Sequence, residues 1–374
     1  MFDIFDFYSL VDLPKSRYGH GVKVLSQTET RRRFRGLRRV LSLTCLLTFV
    51  GALSAAAKDD RQKLWADFGE LRSGDCLGES GALAKPIKID TGKFQYELQG
   101  STLVETSKQK ASSLKIGVIS ATKDDREITI SAMKILIDWM KSEDIQILLA
   151  NGDLATNSLQ MGKIFSTLAS SGVIVVAYTG NTESCGSFNR VATSVFNKYP
   201  NFLNGNWVRK LDLNSAIIAT LPGYYDKRFT HVSGAAHYRA KHIEQIVAMF
   251  EGSKKPVIFT SHGPPKMKGK YGIDIASGVG HVGDQEMTDM LDFEEVSFGI
   301  FGHILEAGGL ASNLAGNKRR KQNEWYKSLF INAGAANPDP WPMLNGKTTY
   351  GMGAIFELKG SQARYKIKNL KKAY

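Results

Sequence analysis

From residue 114 onward the chain settles into two recurring patterns of apolar and polar positions. Residues 114–119, 145–150 and 173–177 are short apolar runs that suit strands buried on both faces. Between them, residues 128–141 carry apolar side chains at 128, 132, 135, 136 and 139, one face of a helix. Residues 159–169 gather Ile164, Phe165 and Leu168 on one side, and Gly172 ends that helix. Strand–helix–strand–helix–strand predicts an α/β fold with a largely parallel sheet. Further strands are predicted at 216–221, 257–261, 298–301, 328–331, 354–358 and 364–367, with helices at 238–250 and 286–293. The last strands follow one another with no helix between, which predicts an antiparallel portion.

The first 113 residues are less regular. A basic block at 31–39 precedes an apolar run at 40–53 and small residues at 54–57, and charge resumes at Lys58. That is the order of a secretion signal, so residues 1–57 read as leader and signal and the protein as exported, periplasmic or extracellular. The apolar run falls short of the roughly 20 residues that span a bilayer comfortably. An uncleaved membrane anchor stays as the alternative. Residues 58–113 read as an N-terminal extension and linker, with a short amphipathic stretch at 64–68, a Gly/Ser-rich loop at 73–81 and a polar lead-in at 106–113. Residues 114–374 form the main domain.

Composition adds little to the fold and something to the partners. A chain of 374 residues with 43% hydrophobic content builds a core without staples. The net charge is +13; nine Lys/Arg and four Asp/Glu fall in residues 1–57, which leaves +8 for the remainder. That balance suits anionic partners and is also ordinary for soluble proteins outside the cytoplasm. The basic loop at 317–321 and the basic tail at 366–372 have no interleaved aromatic residues, so they give no specific nucleic-acid signal. Membrane contact is expected only through an uncleaved signal. Beyond the signal there are two cysteines, Cys76 and Cys185, which read equally as a disulfide or as two thiols.

In open α/β sheets ligands bind beyond the carboxyl ends of strands. Five loops stand at such places: 120–124, 151–154, 179–183, 261–265 and 302–306. They offer Asp153, Asn181, His262 and His303, a mixed oxygen and nitrogen set that suits Mn, Zn or Fe better than Mg or Ca. Glycine stands beside each of the four, allowing tight turns and close backbone approach.

Gly152-Asp153, Gly180-Asn181-x-Glu183, His262 with Gly-Pro-Pro after it, and Gly302-His303 follow one another in the order of the motifs of the calcineurin-like phosphoesterases, which this stretch resembles. The segment 331–335 also resembles the Asn-Pro-Gly-Ser stretch of those domains. The resemblance implies a four-layer α/β sandwich: two central mixed sheets flanked by helices, with metals at the strand ends. It implies that Asp153, Asn181, His262 and His303 are the complete ligand set of one of two metals. The other metal's places read Ala121, Lys123 and Leu305 around the shared Asp153. Thr182 stands where the family has the His assigned to leaving-group protonation, and Thr156 where the second motif ends in Asp, with Asn157 beside it as a stand-in. Lys123 is expected either to aim its ammonium at the vacated position and any bound phosphate or to face solvent. Two functions follow: a hydrolase of phosphomonoesters or phosphodiesters using one divalent transition metal, the second doubtful, or an inactive relative that binds a phosphorylated ligand or a partner in the cell envelope.

Overall fold

The structure is a computed structural model and describes residues 86–108 and 111–372. The expected signal, the 64–68 stretch and the Gly/Ser-rich loop lie outside the described residues. The described residues belong to one compact unit.

Nineteen strands and five helices are present among the described residues. Strands β1 (Ile87–Asp90), β2 (Gln95–Gln99) and β3 (Thr102–Glu105) come first. The regular portion then runs β4 (Leu114–Ile119), α1 (Glu127–Ser142), β5 (Ile147–Asn151), α2 (Ser158–Ala169), β6 (Ile174–Tyr178), α3 (Cys185–Lys198) and β7 (Phe202–Asn204). It continues with β8 (Lys210–Asp212), β9 (Ile217–Leu221), α4 (Ala240–Phe250) and β10 (Val257–Ser261). A small ribbon, β11 (Ile275–Ala276) with β12 (Gly280–His281), precedes α5 (Gln285–Phe293) and β13 (Phe298–Phe301). After these come β14 (Ala311–Ser312), β15 (Leu329–Asn332), a second ribbon of β16 (Trp341–Pro342) and β17 (Thr348–Thr349), and the long pair β18 (Met352–Lys359) and β19 (Gln362–Asn369).

Two sheets result. The six-stranded sheet has the order β19-β18-β4-β5-β6-β7, parallel from β4 to β7 and antiparallel at β18 and β19. The nine-stranded sheet has the order β1-β2-β3-β8-β9-β10-β13-β15-β14, with β9, β10, β13 and β15 parallel. One apolar cluster joins their facing sides: Val118, Leu149 and Val176 on one, Ile218, Ile258, Ile300 and Ile331 on the other. A second cluster seats α1, α2 and α3 on the outer face of the six-stranded sheet. A third seats α4 and α5 on the outer face of the nine-stranded sheet. The architecture is therefore a four-layer α/β sandwich with two central mixed sheets flanked by helices. The central strands bury both faces, which is why they read as unbroken apolar runs.

Two local results differ from the sequence reading, and a third decides between alternatives that it left open. Residues 87–105, read as part of an extension and linker, form β1 to β3 and join the nine-stranded sheet where β3 pairs with β8. Their inward residues, Ile89, Tyr96, Leu98 and Leu103, alternate with polar ones, the mark of strands with one wet face. Helix α3 follows the third site loop. Its inward positions Phe188, Ala192, Val195 and Phe196 keep helical spacing, diluted by Ser, Thr and Asn. Cys185 is disulfide-bonded, so a free thiol there is excluded; the chain's other cysteines, Cys45 and Cys76, lie outside the described residues. No helix among the described residues is long and apolar enough to cross a membrane.

Candidate metal centre

The carboxyl ends of β5 and β6 in one sheet, and of β10 and β13 in the other, open on the same place. Asp153 and Asn181 come from the first sheet, His262 and His303 from the second. Their donor atoms meet around His262 Nε2, which lies 3.0 Å from Asn181 Oδ1, 3.1 Å from His303 Nδ1 and 3.2 Å from Asp153 Oδ1. A tetrahedral cation with ligands at about 2.1 Å holds them about 3.4 Å apart, close to this spacing.

The orientation of each donor is fixed from behind. His262 Nδ1 is 3.0 Å from the Asn151 carbonyl and donates to it, which turns the Nε2 lone pair inward. The Asn181 amide nitrogen donates to the Phe229 carbonyl at 2.5 Å, which leaves Oδ1 facing the centre. The ring of Tyr224 lies 4.2 Å from that of His303, centroid to centroid, and walls it in. Asp153, His262 and His303 also form a group whose ligand atoms all lie within 4.8 Å of one another. A proton on one nitrogen cannot serve so many converging acceptors, whereas a divalent cation can; the residues fit the metal that the motifs imply.

Close approach explains the glycines. A Cβ on Gly152, at φ +69°, would stand 2.6 Å from His262 Nδ1. One on Gly180 would stand 2.6 Å from Asp153 Oδ1. Four residues with side chains also adopt positive φ here: Ala121 (49°), Lys123 (67°), Asp153 (57°) and His303 (64°). Such conformations persist only where the surroundings impose them. The surroundings are visible. Ala121 N donates to Gly152 O, Lys123 N to Asp153 O, Ala336 N to Ser120 O, and Asn337 Nδ2 to Thr122 O. Asn332 Nδ2 holds the Gly302 and Ile304 carbonyls. Behind the third loop, Asn206 Oδ1 accepts from both the backbone and the hydroxyl of Thr179, and Asn189 ties Asn204 to Asn206.

The other half of the centre is filled differently. Lys123 Nζ sits 2.8 Å from Asp153 Oδ2, with its side chain 31% exposed against 3% for the aspartate. Its ammonium therefore points inward rather than to solvent. Thr182 donates its hydroxyl to Asp153 Oδ1 at 3.0 Å. Ala121 is buried, and Leu305 opens a short 3-10 turn, half-buried. Asn157, read as a stand-in for the second motif's Asp, instead caps α2 by accepting from Gln160 N at 3.0 Å; it serves the helix, not the centre. The loop at 337–342 braces residues 122–126 through Asn337 and an Asp339–Arg126 ion pair. His281 pairs with Asp274 at 2.8 Å.

The electrostatics follow from burial and neighbours. Burial opposes the charge on Asp153, but Lys123 and His262 outweigh it and hold the carboxyl well below its ordinary range. Burial likewise opposes charge on His262, and the Asp153 carboxylate overrides it and lifts that pKa. His303 is half-buried at the surface but closely packed beside His262; desolvation and the His262 charge push it down to about 3, so it stays neutral, as a ligand must. Glu183 is buried and accepts from Leu154 N and from Gly180 N; burial and the Asp153 charge lift it to about 7. It clamps the second loop to the third.

No protein-family model matches the chain, and no curated protein matches it. Several solved structures are similar at low identity. One is the protein TT1561 of Thermus thermophilus, at 13% identity over 69% of this chain and 100% of that one, TM-score 0.46. A second is a purple acid phosphatase from yellow lupin (Lupinus luteus) seeds, at 12% over 76% of this chain and 64% of that one, TM-score 0.45. A third is a dimetal phosphatase from Danio rerio, at 10% over 70% and 100%, TM-score 0.41. All three scores lie below one half, so the chemistry of this chain rests on its own residues.

Proposed function

We propose that this protein is an exported metallophosphoesterase-like hydrolase of phosphomonoesters or phosphodiesters that works with one divalent transition metal, Mn, Zn or Fe. The observation that carries the reading is the convergence of four oriented donors on one point at the strand ends. Asp153, Asn181, His262 and His303 would hold the ion, which supplies Lewis-acid polarisation of a phosphoryl oxygen. The chain's own residues do the rest. Lys123 spends one ammonium proton on Asp153 Oδ2 and has its others free for a phosphoryl oxygen. Thr182 is occupied with Asp153 Oδ1 and is no proton donor at neutral pH, so the leaving group takes its proton from solvent. Tyr224 and Phe229 O keep His303 and Asn181 from swinging away.

One observation favours the second reading, a ligand- or partner-binding relative without turnover. The Lys123–Asp153 pair places a fixed cation where a second metal would share the aspartate. Metal analysis and assay separate the two. The hydrolase reading expects about one equivalent of metal, lost in His262→Ala, and phosphatase or phosphodiesterase turnover lost with it. Metal without turnover supports the binding reading; turnover untouched by His262→Ala sinks hydrolysis at this centre. Export rests on the order of basic, apolar and small residues in 31–57. Recovery of the secreted or periplasmic protein with residue 1 still attached would refute cleavage.

A further inference from the structure

Two loops far apart in sequence are laced together at the β14 edge of the nine-stranded sheet. β14 turns back on itself through a hairpin, with Ser312 bridged to Arg319 and the Asn313 side chain accepting from Lys318 N at 2.9 Å. The loop after His262 docks onto that hairpin by backbone bonds: Lys268 N and Gly269 N to Ala315 O at 3.3 and 3.0 Å, and Tyr271 N to Gly316 O at 2.8 Å. Met267 is buried beside Ser312, so its neighbours Lys266 and Lys268 turn outward. The two bonded loops together carry Lys266, Lys268, Lys270, Lys318 and Arg319, all exposed.

None of the five forms an ion pair among the described residues. Some other surface cations of the domain do pair with acids, among them Lys93–Asp144, Lys163–Asp125, Lys255–Asp212 and Lys366–Glu143. Arg320, next in sequence, is withdrawn: its guanidinium lies over the Tyr326 ring and donates to Ser328 O. We propose that this cluster of five cations docks the protein on an anionic phospholipid surface. Four of the five are lysines, point charges suited to a diffuse array of headgroups rather than to forked recognition of bases. Tyr271, next to Lys270, is covered by the Lys270 ammonium at 5.1 Å and offers no stacking platform for a nucleic acid.

The test is co-sedimentation of the full chain with vesicles of equimolar phosphatidylglycerol and phosphatidylcholine, against pure phosphatidylcholine, in about 0.1 M salt. Binding to the uncharged vesicles reads any insertion of the 40–53 segment, so the quantity of interest is the ratio of the two. The ratio should fall on the order of a hundredfold when Lys268, Lys270 and Arg319 are all changed to Gln, at about fivefold per cation. Lys268→Arg with Lys270→Arg should keep it. The side chains are exposed, so the melting temperature should not move. An unchanged ratio in the triple Gln variant, a parent ratio near one, or saturable binding to duplex DNA without preference for the anionic vesicles would each overturn the proposal.

Discussion

Replacing Lys123 by Met removes the ammonium and keeps most of the aliphatic stem. Asp153 is then a buried carboxylate, 3% exposed in its side chain, with Oδ2 left unpaired. Breaking a buried pair costs about 3–5 kcal/mol, and Lys123 reaches solvent on one side, so about 2 kcal/mol is expected for the metal-free protein. A cation at the centre changes the sum. It supplies the positive charge that Asp153 lost and no longer sits beside an ammonium. The metal-loaded variant should therefore match the metal-loaded parent in stability, which by linkage means about thirtyfold tighter metal binding in Lys123→Met. Urea unfolding with and without Mn or Zn gives the stabilities, and calorimetric titration gives the affinities. Equal destabilisation in both states, with unchanged metal affinity, would refute the idea that Lys123 stands at a cation's place.

Other consequences are as direct. Gly152→Ala puts a Cβ within 2.7 Å of both His262 Nδ1 and the Gly180 backbone at positive φ, and should cost more than about 3 kcal/mol along with metal binding; a loss under about 1 kcal/mol by urea unfolding would contradict the packing described. Burial lifts the Asp284 carboxyl from 3.8 to about 6. Below the lower value both folded and unfolded chains hold its proton, and as pH rises toward the upper one the unfolded chain alone ionises, so its contribution to stability is lost across that window. Asp284→Asn keeps the cap on Glu286 N and should flatten the stability–pH curve there by on the order of 3 kcal/mol; an unaltered slope would count against a buried neutral carboxyl.

The donors at the centre were legible because each follows a buried strand and is marked by glycine: Asp153, Asn181, His262 and His303 are points where an apolar run stops and the backbone must turn. Lys123 was legible as a departure but not as a direction, since its inward aim depends on a positive φ that no sequence pattern announces. Tyr224 escaped notice for a related reason. In Leu-Pro-Gly-Tyr-Tyr-Asp nothing tells which ring turns to His303, because the loop has no period. Asn157 misled, since a capping asparagine and one supporting a metal ligand look alike until the helix start is known. Strands β1 to β3 are short, polar on one face and paired with β8 more than a hundred residues on, so local pattern carried little of their signal.

Two of the four converging side chains belong to each sheet. The centre therefore sits across the open end of the interface between layers, and its occupancy bears on how long the sandwich stays shut, not only on what it binds. Parting the layers at that end requires Asp153 and Asn181 to leave His262 and His303. An ion shared among them would act on the unfolding rate, provided that the link forms after the folding barrier has been crossed. The same four residues would then set how long the folded protein survives chelators and proteases.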